Sequence, residues 1–321
     1  MMSVNDFNSK QILLLITKEG QKLSFKNENV IITDSNNKVI HQSTCYRLFA
    51  IFIVGHITIT SGLIQRAKKF GFSIAFLTSS FRLYQLISST AEANVLLRQK
   101  QYQYENLGAA KILISNKIDN QRRLLMQYRD KDDDYKIAIS NIDLAREKLN
   151  DATSIQSIMG IEGSVSRIYF RLYFNNVIWH GRKPRIKNDM VNTLLDIGYT
   201  ILFSFLDCVL SVYGFDRYCG ILHRQFYMRK SLVCDIIEPF RIIIDKQVKK
   251  SINLGQFKEK DFNVYDGRWC LKYEKSSEYS AIFLKAILEY KEEMFLYVRE
   301  FYRVMLKGDI DEKMPYCNLE V

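Results

Sequence analysis

Proline is nearly absent from this chain, and that absence limits what its longer part can become. Only Pro184, Pro239 and Pro315 occur in 321 residues. An interior proline removes a helix hydrogen bond and kinks the helix, so a proline-free stretch rich in helix formers can run as long helices. Such a stretch opens at Ser89-Thr90-Ala91-Glu92. This is a capping box, in which the serine oxygen accepts from the third helical N–H and the glutamate reaches back. Beyond it, Ile137 to Leu149, Ile155 to Trp179, Val191 to Tyr213 and Ile242 to Ile252 read as helices. Lys131-Asp132-Asp133-Asp134 breaks the pattern as an exposed acidic loop between two of them.

Before residue 89 the signals are those of strands. Gln11 to Thr17 is an apolar run ended by the turn signal Lys18-Glu19-Gly20. Lys22 to Phe25 and Val30 to Thr33 follow, and Asp34 to Asn37 turns the chain into Val39-Ile40. Leu48 to Ile59 reads as one buried strand with some helix at its start. Ser61 to Phe70 reads as a short helix ended by Gly71, and Ser73 to Leu77 as another strand. The expectation is an α+β chain: a small β-rich N-terminal domain, residues 1–88, then a larger, mostly α-helical domain, residues 89–321.

Charge points to an anionic partner. The chain holds 46 Lys and Arg against 35 Asp and Glu, a formal +11, which suits nucleic acid or a membrane surface. Leu48 to Ile59 is too short to span a bilayer. Ile197 to Phe215 is long enough but carries Asp207 near its middle. A central Asp costs roughly 2.5–3.5 kcal/mol on an insertion scale, so this stretch is read as the core helix of a soluble protein. Residues Met1 to Lys10 lack the layout of a signal peptide. The six cysteines are scattered without a Cys-x-x-Cys pair, which argues against a zinc site and for a reducing cytoplasm.

Candidate chemistry gathers in three places. Of the histidines, His41 and His56 read as structural, and His180 stands beside the basic loop Gly181-Arg182-Lys183-Pro184-Arg185-Ile186-Lys187, suited to phosphates. His223 precedes Ser231-Leu232-Val233-Cys234-Asp235-Ile236-Ile237-Glu238-Pro239-Phe240-Arg241. Asp235 and Glu238 sit in an apolar run, where an isolated charge is costly, so each needs a cation or hydrogen bonds. Metal ligation and pairing with Arg224, Arg229 or Arg241 are equally open from this segment. Glu162, between Gly160 and Gly163 at an expected helix start, reads either as an acid on a helix dipole or as a further ligand that a partner can approach closely past the glycines.

Taken together, these blocks resemble the CRISPR-associated adaptation integrase, the catalytic subunit of the spacer-acquisition complex. The resemblance rests on Gly160-Ile161-Glu162-Gly163 leading into an aromatic-rich helix, on Arg182-Lys183-Pro184-Arg185 with Asp189 to Tyr199, and on His223 with Ser231 to Arg241. Their order and spacing fit, with 61 residues from Glu162 to His223 and 15 more to Glu238. The β-then-helical layout fits as well, so nearly the whole chain is covered. It departs from the family after Arg241, where Ile242 stands in place of a frequent proline.

The resemblance implies that Glu162, His223 and Glu238 ligate Mg²⁺ or Mn²⁺. It implies that Asp235 is a catalytic acid behind those ligands or on a second metal, and that Arg182, Lys183, Arg185, Lys187, Arg224 and Arg229 contact DNA. The implied activity is that of a metal-dependent endonuclease/integrase, joining 3′-hydroxyl ends of spacer DNA into the CRISPR repeat by transesterification. The implied partners are double-stranded DNA, a second copy in a homodimer, and a small subunit of the adaptation complex; the β domain is the expected dimer surface, and the cysteine and hydropathy readings above place the protein in the cytoplasm with no membrane. Two other readings stand beside it. One is a structure-selective metal-dependent DNase whose nucleophile is water. The other is a non-enzymatic DNA-binding scaffold in which Glu162, His223 and Glu238 form a structural polar cluster. The tail, Lys313 to Val321, reads as docking on a partner or as disordered.

Overall fold

Alternating side chains on the N-terminal strands have to be buried on two faces, and two sheets result. The computed structural model describes residues 2–88, 94–128, 131–177, 179, 181–307 and 314–320. After a short helix α1 (Val4–Ser9) come β1 (Gln11–Ile16), β2 (Lys22–Lys26), β3 (Asn29–Thr33), β4 (Val39–Thr44), β5 (Leu48–Val54), β6 (Thr58–Ile59), helix α2 (Ser61–Phe70), β7 (Ser73–Leu77) and β8 (Leu83–Ile87). One sheet has the order β1-β5-β7-β8, with β8 antiparallel at its edge; the other has the order β4-β3-β2-β6. Every residue of β5 is buried. Phe52 and Val54 enter the large core shared with the helices, while Ile51 and Ile53 enter a smaller core with Leu63 and Ala67 of α2. A strand covered on both faces is a near-continuous apolar run, as this one is. The run expected to reach Ile59 is two strands, because the backbone turns at Gly55, and the helical start is a 3-10 turn, Cys45–Arg47.

The helical part comprises α3 (Val95–Gln103), α4 (Leu107–Met126), α5 (Asp133–Lys148), α6 (Ile155–Tyr173), α7 (Met190–Tyr213), α8 (Ser231–Ile236), a 3-10 turn (Glu238–Phe240), α9 (Arg241–Asn253), a hairpin of β9 (Phe262–Tyr265) and β10 (Arg268–Leu271), α10 (Ser276–Glu289) and α11 (Lys291–Lys307). The capping box at Ser89 to Glu92 lies outside the described residues, and so does His180. The acidic loop is shorter than expected. Asp132 is the N-cap of α5 and accepts from the Tyr135 N–H at 2.7 Å, and Asp133 and Asp134 form its first turn, where negative charge meets the positive helix end. Helix α6 stops at Tyr173 rather than running to Trp179.

Helix α7 is long and apolar enough to cross a membrane by length and composition, but most of it is buried inside the protein. It is a core helix. Its central acid, Asp207, meets Arg217 at 3.0 Å and Lys230 at 2.5 Å. At Gly198 the helix is approached so closely that a Cβ would lie 2.4 Å from Ile244 Cγ2 and 2.9 Å from the Phe283 ring. The β-rich part and the helices share this core: Phe7 of α1 stacks on Phe295 of α11 with centroids 4.3 Å apart and meets Phe49 of β5 edge-on.

The tail docks on its own chain. Asn116 Nδ2 donates to the Cys317 carbonyl at 2.7 Å, Asn120 Nδ2 donates to it at 3.0 Å, and the Cys317 N–H donates to Asn116 Oδ1 at 3.0 Å. Met314 and Leu319 are buried. Filling the contact at Gly198 should therefore be expensive. Gly198→Val is expected to lower stability by roughly 3 kcal/mol, toward the upper end for an overpacked core, read from the denaturant midpoint with an unchanged m-value.

Candidate metal centre

The middle of α4 carries five buried polar residues, Ser115, Asn116, Lys117, Asn120 and Gln121, on a helix that also buries Leu113, Ile114 and Ile118. Burying a charge demands a partner, and Lys117 has two. Its ammonium group donates to Glu162 and lies 2.7 Å from Glu238 Oε2. Two carboxylates from separate elements thus converge on one positive group.

Glu162 is the eighth residue of α6, not at the helix start as expected. A helix dipole acts only within the first turn, so that reading of Glu162 falls. Ser166, one turn on, donates to Glu162 Oε1 at 2.7 Å. Glu238 owes its position to Pro239. Without an N–H to continue the ladder, α8 ends at Ile236, a 3-10 turn carries Glu238, and the chain restarts as α9 at Arg241. Arg241 forks onto Glu238, with Nε to Oε2 and Nη2 to Oε1 both at 3.0 Å. The Pro239 carbonyl accepts from Asn120 Nδ2 at 2.9 Å.

These contacts set the charges. Burial pushes the Glu238 carboxyl up, but Arg241 and Lys117 outweigh it and hold it down at about 2. Glu162 is lowered as well: burial opposes its charge, and Lys117 and Ser166 overcome both burial and the nearby Glu238. Burial works against the Lys117 charge, yet Glu238 and Glu162 raise its pKa above the ordinary value. Both carboxylates are ionised and the lysine is charged.

His223 lies on the loop between α7 and α8, and Asp235 builds that loop. The buried Asp235 carboxylate accepts from the backbone N–H of Ile221, Leu222 and His223 at 2.5, 3.1 and 2.9 Å, and meets His223 Nδ1 at 2.6 Å. Four donors fill a carboxylate's acceptor capacity. Asp235 therefore orients His223, with Nδ1 as the donor by assignment, and turns Nε2 away from itself. Gly220 is needed here, since a Cβ would sit 2.7 Å from Asp235 Oδ2 and 2.9 Å from the His223 carbonyl.

The structure joins Glu162 to Glu238 and His223 to Asp235, but it does not gather the expected ligands into one cluster. Among the described residues no three His, Cys, Asp or Glu side chains form a group that could hold a metal ion. The donor chemistry still fits a divalent cation: two ionised carboxylates already share one positive group, and His223 has its Nδ1 tied to a carboxylate, as metal-ligating histidines usually do.

The basic residues divide. Arg182 is turned inward, to Asn192 at 3.0 Å and Asp196 at 2.6 Å, and is better placed to hold its loop on α7 than to meet DNA. Lys183, Arg185 and Arg224 are exposed, and Lys187 and Arg229 are half-buried. Arg229 also donates to the Arg224 carbonyl, bracing the loop that carries His223.

Sequence reasoning did not single out Lys117, Asn120 or Asp245. A signal for the first two was present in the polar pair at i, i+3 within an apolar helix pattern. Asp245 is buried beneath the site, where Tyr169 donates to it at 2.9 Å and Tyr199 donates to its other oxygen. Burial pushes its carboxyl up to about 6 despite both hydroxyls.

Two outcomes follow. Gly220→Ala is expected to displace Asp235 and His223 while leaving far-ultraviolet circular dichroism unchanged, which a shifted His223 imidazole resonance would reveal. The folded chain also holds the Asp245 proton more tightly than the unfolded chain does, so its contribution is favourable at low pH and is lost as pH rises through about 6. Relative to Asp245→Asn, the wild type should lose about 3 kcal/mol between roughly pH 4 and pH 7, measured by denaturant unfolding; a difference that does not change with pH would contradict this.

Comparison with known proteins fits this geometry. The family described as CRISPR associated protein Cas1 matches residues 14–285. A CRISPR-associated endonuclease Cas1 of Thermodesulfovibrio yellowstonii is 32% identical over 229 residues, 66% of this chain and 71% of the relative. One from Chlorobaculum tepidum is 30% identical over 271 residues, 78% of each chain. Among solved structures, a Cas1 protein from Thermotoga maritima superposes with a TM-score of 0.81 at 18% identity, covering 97% of this chain and 100% of that one. A casposase bound to its integration product gives 0.79 at 21% identity, covering 93% and 91%. Matched over most of its length by the family and by these relatives, the chain belongs to the Cas1 family of CRISPR-associated proteins.

Proposed function

We propose that this protein is the DNA integrase/endonuclease of CRISPR adaptation, working with Mg²⁺ or Mn²⁺ held by Glu162, Glu238 and His223. The observation that carries this reading is the convergence of half-buried Glu162 and buried Glu238, two ionised carboxylates from separate elements, on a single positive group. A divalent ion bound there would polarise a phosphodiester and stabilise an alkoxide oxygen. The protein's own groups do the rest. Arg241 keeps Glu238 ionised and oriented. Asp235 presents the His223 ring with Nε2 turned outward. The exposed Lys183, Arg185 and Arg224, with the half-buried Arg229 beside them, neutralise DNA phosphates, so binding weakens steeply with salt.

In the transesterification, a 3′-hydroxyl of spacer DNA forms a new bond to a repeat phosphorus. The P–O3′ bond of the repeat strand breaks, and its 3′ oxygen leaves with a proton. No covalent protein intermediate is needed. The relatives' name, endonuclease, favours hydrolysis at the same site as a second reading, with water in place of the 3′-hydroxyl. The working unit in this reading is a cytoplasmic homodimer formed through the β-rich part, with no membrane, joined by a small partner subunit. A solved complex whose name pairs Cas1 with Cas2 supports such a partner.

Labelled 3′-hydroxyl duplex, a supercoiled plasmid bearing a repeat, Mn²⁺ and the partner subunit test this directly. Wild type should yield joined product, and Asp235→Asn should cost about 10–100-fold, as for other residues that orient a ligand. His223→Ala should cost more than that. Cleavage without joining would favour the nuclease, and undiminished joining by His223→Ala would remove that residue from the site.

A further inference from the structure

Lys117 occupies the one position that both candidate ligand carboxylates face. Its side chain is 8% exposed, against 25% for Glu162 and 6% for Glu238. It cannot be a surface lysine that swung in by chance. The Asn116 and Asn120 amides on either side of it are pinned to the Cys317 carbonyl, and Asn120 also holds the Pro239 carbonyl. The rotation of α4 is thereby fixed, and with it the direction of the lysine.

Charge then decides what this lysine does. Glu162 and Glu238 are balanced by Lys117 and by Arg241, which bonds both oxygens of Glu238 and shares Oε2 with the lysine. The set is neutral without a metal. Left with Arg241 alone, buried Glu238 and half-buried Glu162 would repel each other in a poorly screened place. A divalent ion entering beside the ammonium would leave the site with a charge of plus two, which burial disfavours. That excess is relieved in two ways: the ammonium withdraws from the carboxylates, or an anionic phosphate joins the site.

Building on the metal-centre reading above, we infer that Lys117 is a resident counter-cation that holds Glu162 and Glu238 in ligating position, competes with the divalent ion for them, and thereby couples tight metal binding to the arrival of a DNA phosphate. Lys117 is a positioning residue here. The metal-free enzyme keeps a preassembled carboxylate pair, yet binds its ion weakly until DNA is present. Such coupling restrains a nuclease centre from loading when no substrate phosphate is in place.

The experiment measures Mn²⁺ affinity by calorimetry, with and without a 3′-blocked DNA duplex, for wild type, Lys117→Met, Lys117→Gln, Lys117→Arg and Glu238→Gln. Without DNA, Lys117→Met is expected to bind Mn²⁺ at least about tenfold more tightly than wild type, because one like charge beside the ion is gone. Lys117→Arg keeps the weak binding. Duplex DNA should tighten Mn²⁺ binding to wild type by about tenfold or more and to Lys117→Met by much less, since both effects draw on the same charge balance. General damage to the site would weaken binding, so tighter binding is not a mark of misfolding. If Lys117→Met does not fold, Lys117→Gln, which keeps a donor for the carboxylates, gives the same comparison. Equal or weaker Mn²⁺ binding by the neutral variants overturns the inference while leaving the metal centre standing. Mn²⁺ binding unaffected by Glu238→Gln overturns the metal centre itself, and the inference with it.

Discussion

Two carboxylates, one buried and one half-buried, held within reach of one another are the constraint on which this structure turns. Left alone, Glu162 and Glu238 would repel across a gap that water screens poorly, and one of them would take up a proton. The cations around them prevent this. Arg241 grips one face of Glu238 in a bidentate fork, and Lys117 closes the gap to Glu162. Removing any one partner would leave an uncompensated buried charge, a loss of several kcal/mol. The elements that carry these side chains must hold their positions for the balance to survive. The packing of α4 on α6, and of the turn at Pro239 on α4, does that mechanical work.

The supports for this site come from distant parts of the chain. The tail reaches back along α4 and fixes Asn116 and Asn120, the residues on either side of the lysine. Asp245 ties α9 to α6 and α7 through the Tyr169 and Tyr199 hydroxyls. Tyr199 in turn lies under the Arg241 guanidinium, with 4.7 Å from the guanidinium carbon to the ring centroid. Asp207 holds the loop that carries His223 through Arg217 and Lys230. Each of these acids is fully buried, and each has partners that an apolar residue could not engage. A helix of this length and hydropathy would otherwise read as a membrane span. The partners of Asp207 explain why α7 keeps a charge at its centre.

Much of this was legible in the sequence, and the parts that were not share a cause. The strand–helix order, the boundaries of α7 and α9, and the Gly71 stop of α2 followed from periodicity and local punctuation. Glu162, Asp235 and Glu238 stood out because acids in apolar runs are costly. Lys117 did not, because a lysine in a helix-forming stretch is nearly always solvated. Its burial is decided by Glu162 and Glu238, which meet it only in the fold. Asp235 was legible as a functional acid but not as the anchor of His223, since its three backbone donors depend on a loop path that no periodicity encodes. The strand β8 has two exposed residues in succession and lacks clean alternation. The tail's docking rests on side-chain amides reaching backbone groups, and such contacts leave no pattern in a composition.

The net charge of +11 takes on meaning once its members are placed. Arg182, Arg217, Lys230 and Arg241 point inward, and each is held by an acid: Asp196, Asp207 or Glu238. Such pairs orient backbone and side chains, and project little field into solvent. Lys183, Arg185 and Arg224 lie at the surface, on the loops beside α7 and around His223. Exposed charges of one sign are the ones that steer a polyanion and are screened by salt. A count of basic residues therefore overstates the surface that meets DNA. The inward group sets the shape and charge of the centre, and the outward group brings the phosphates to it. Substitutions in the first would change what the site can hold, and substitutions in the second would change how readily DNA arrives.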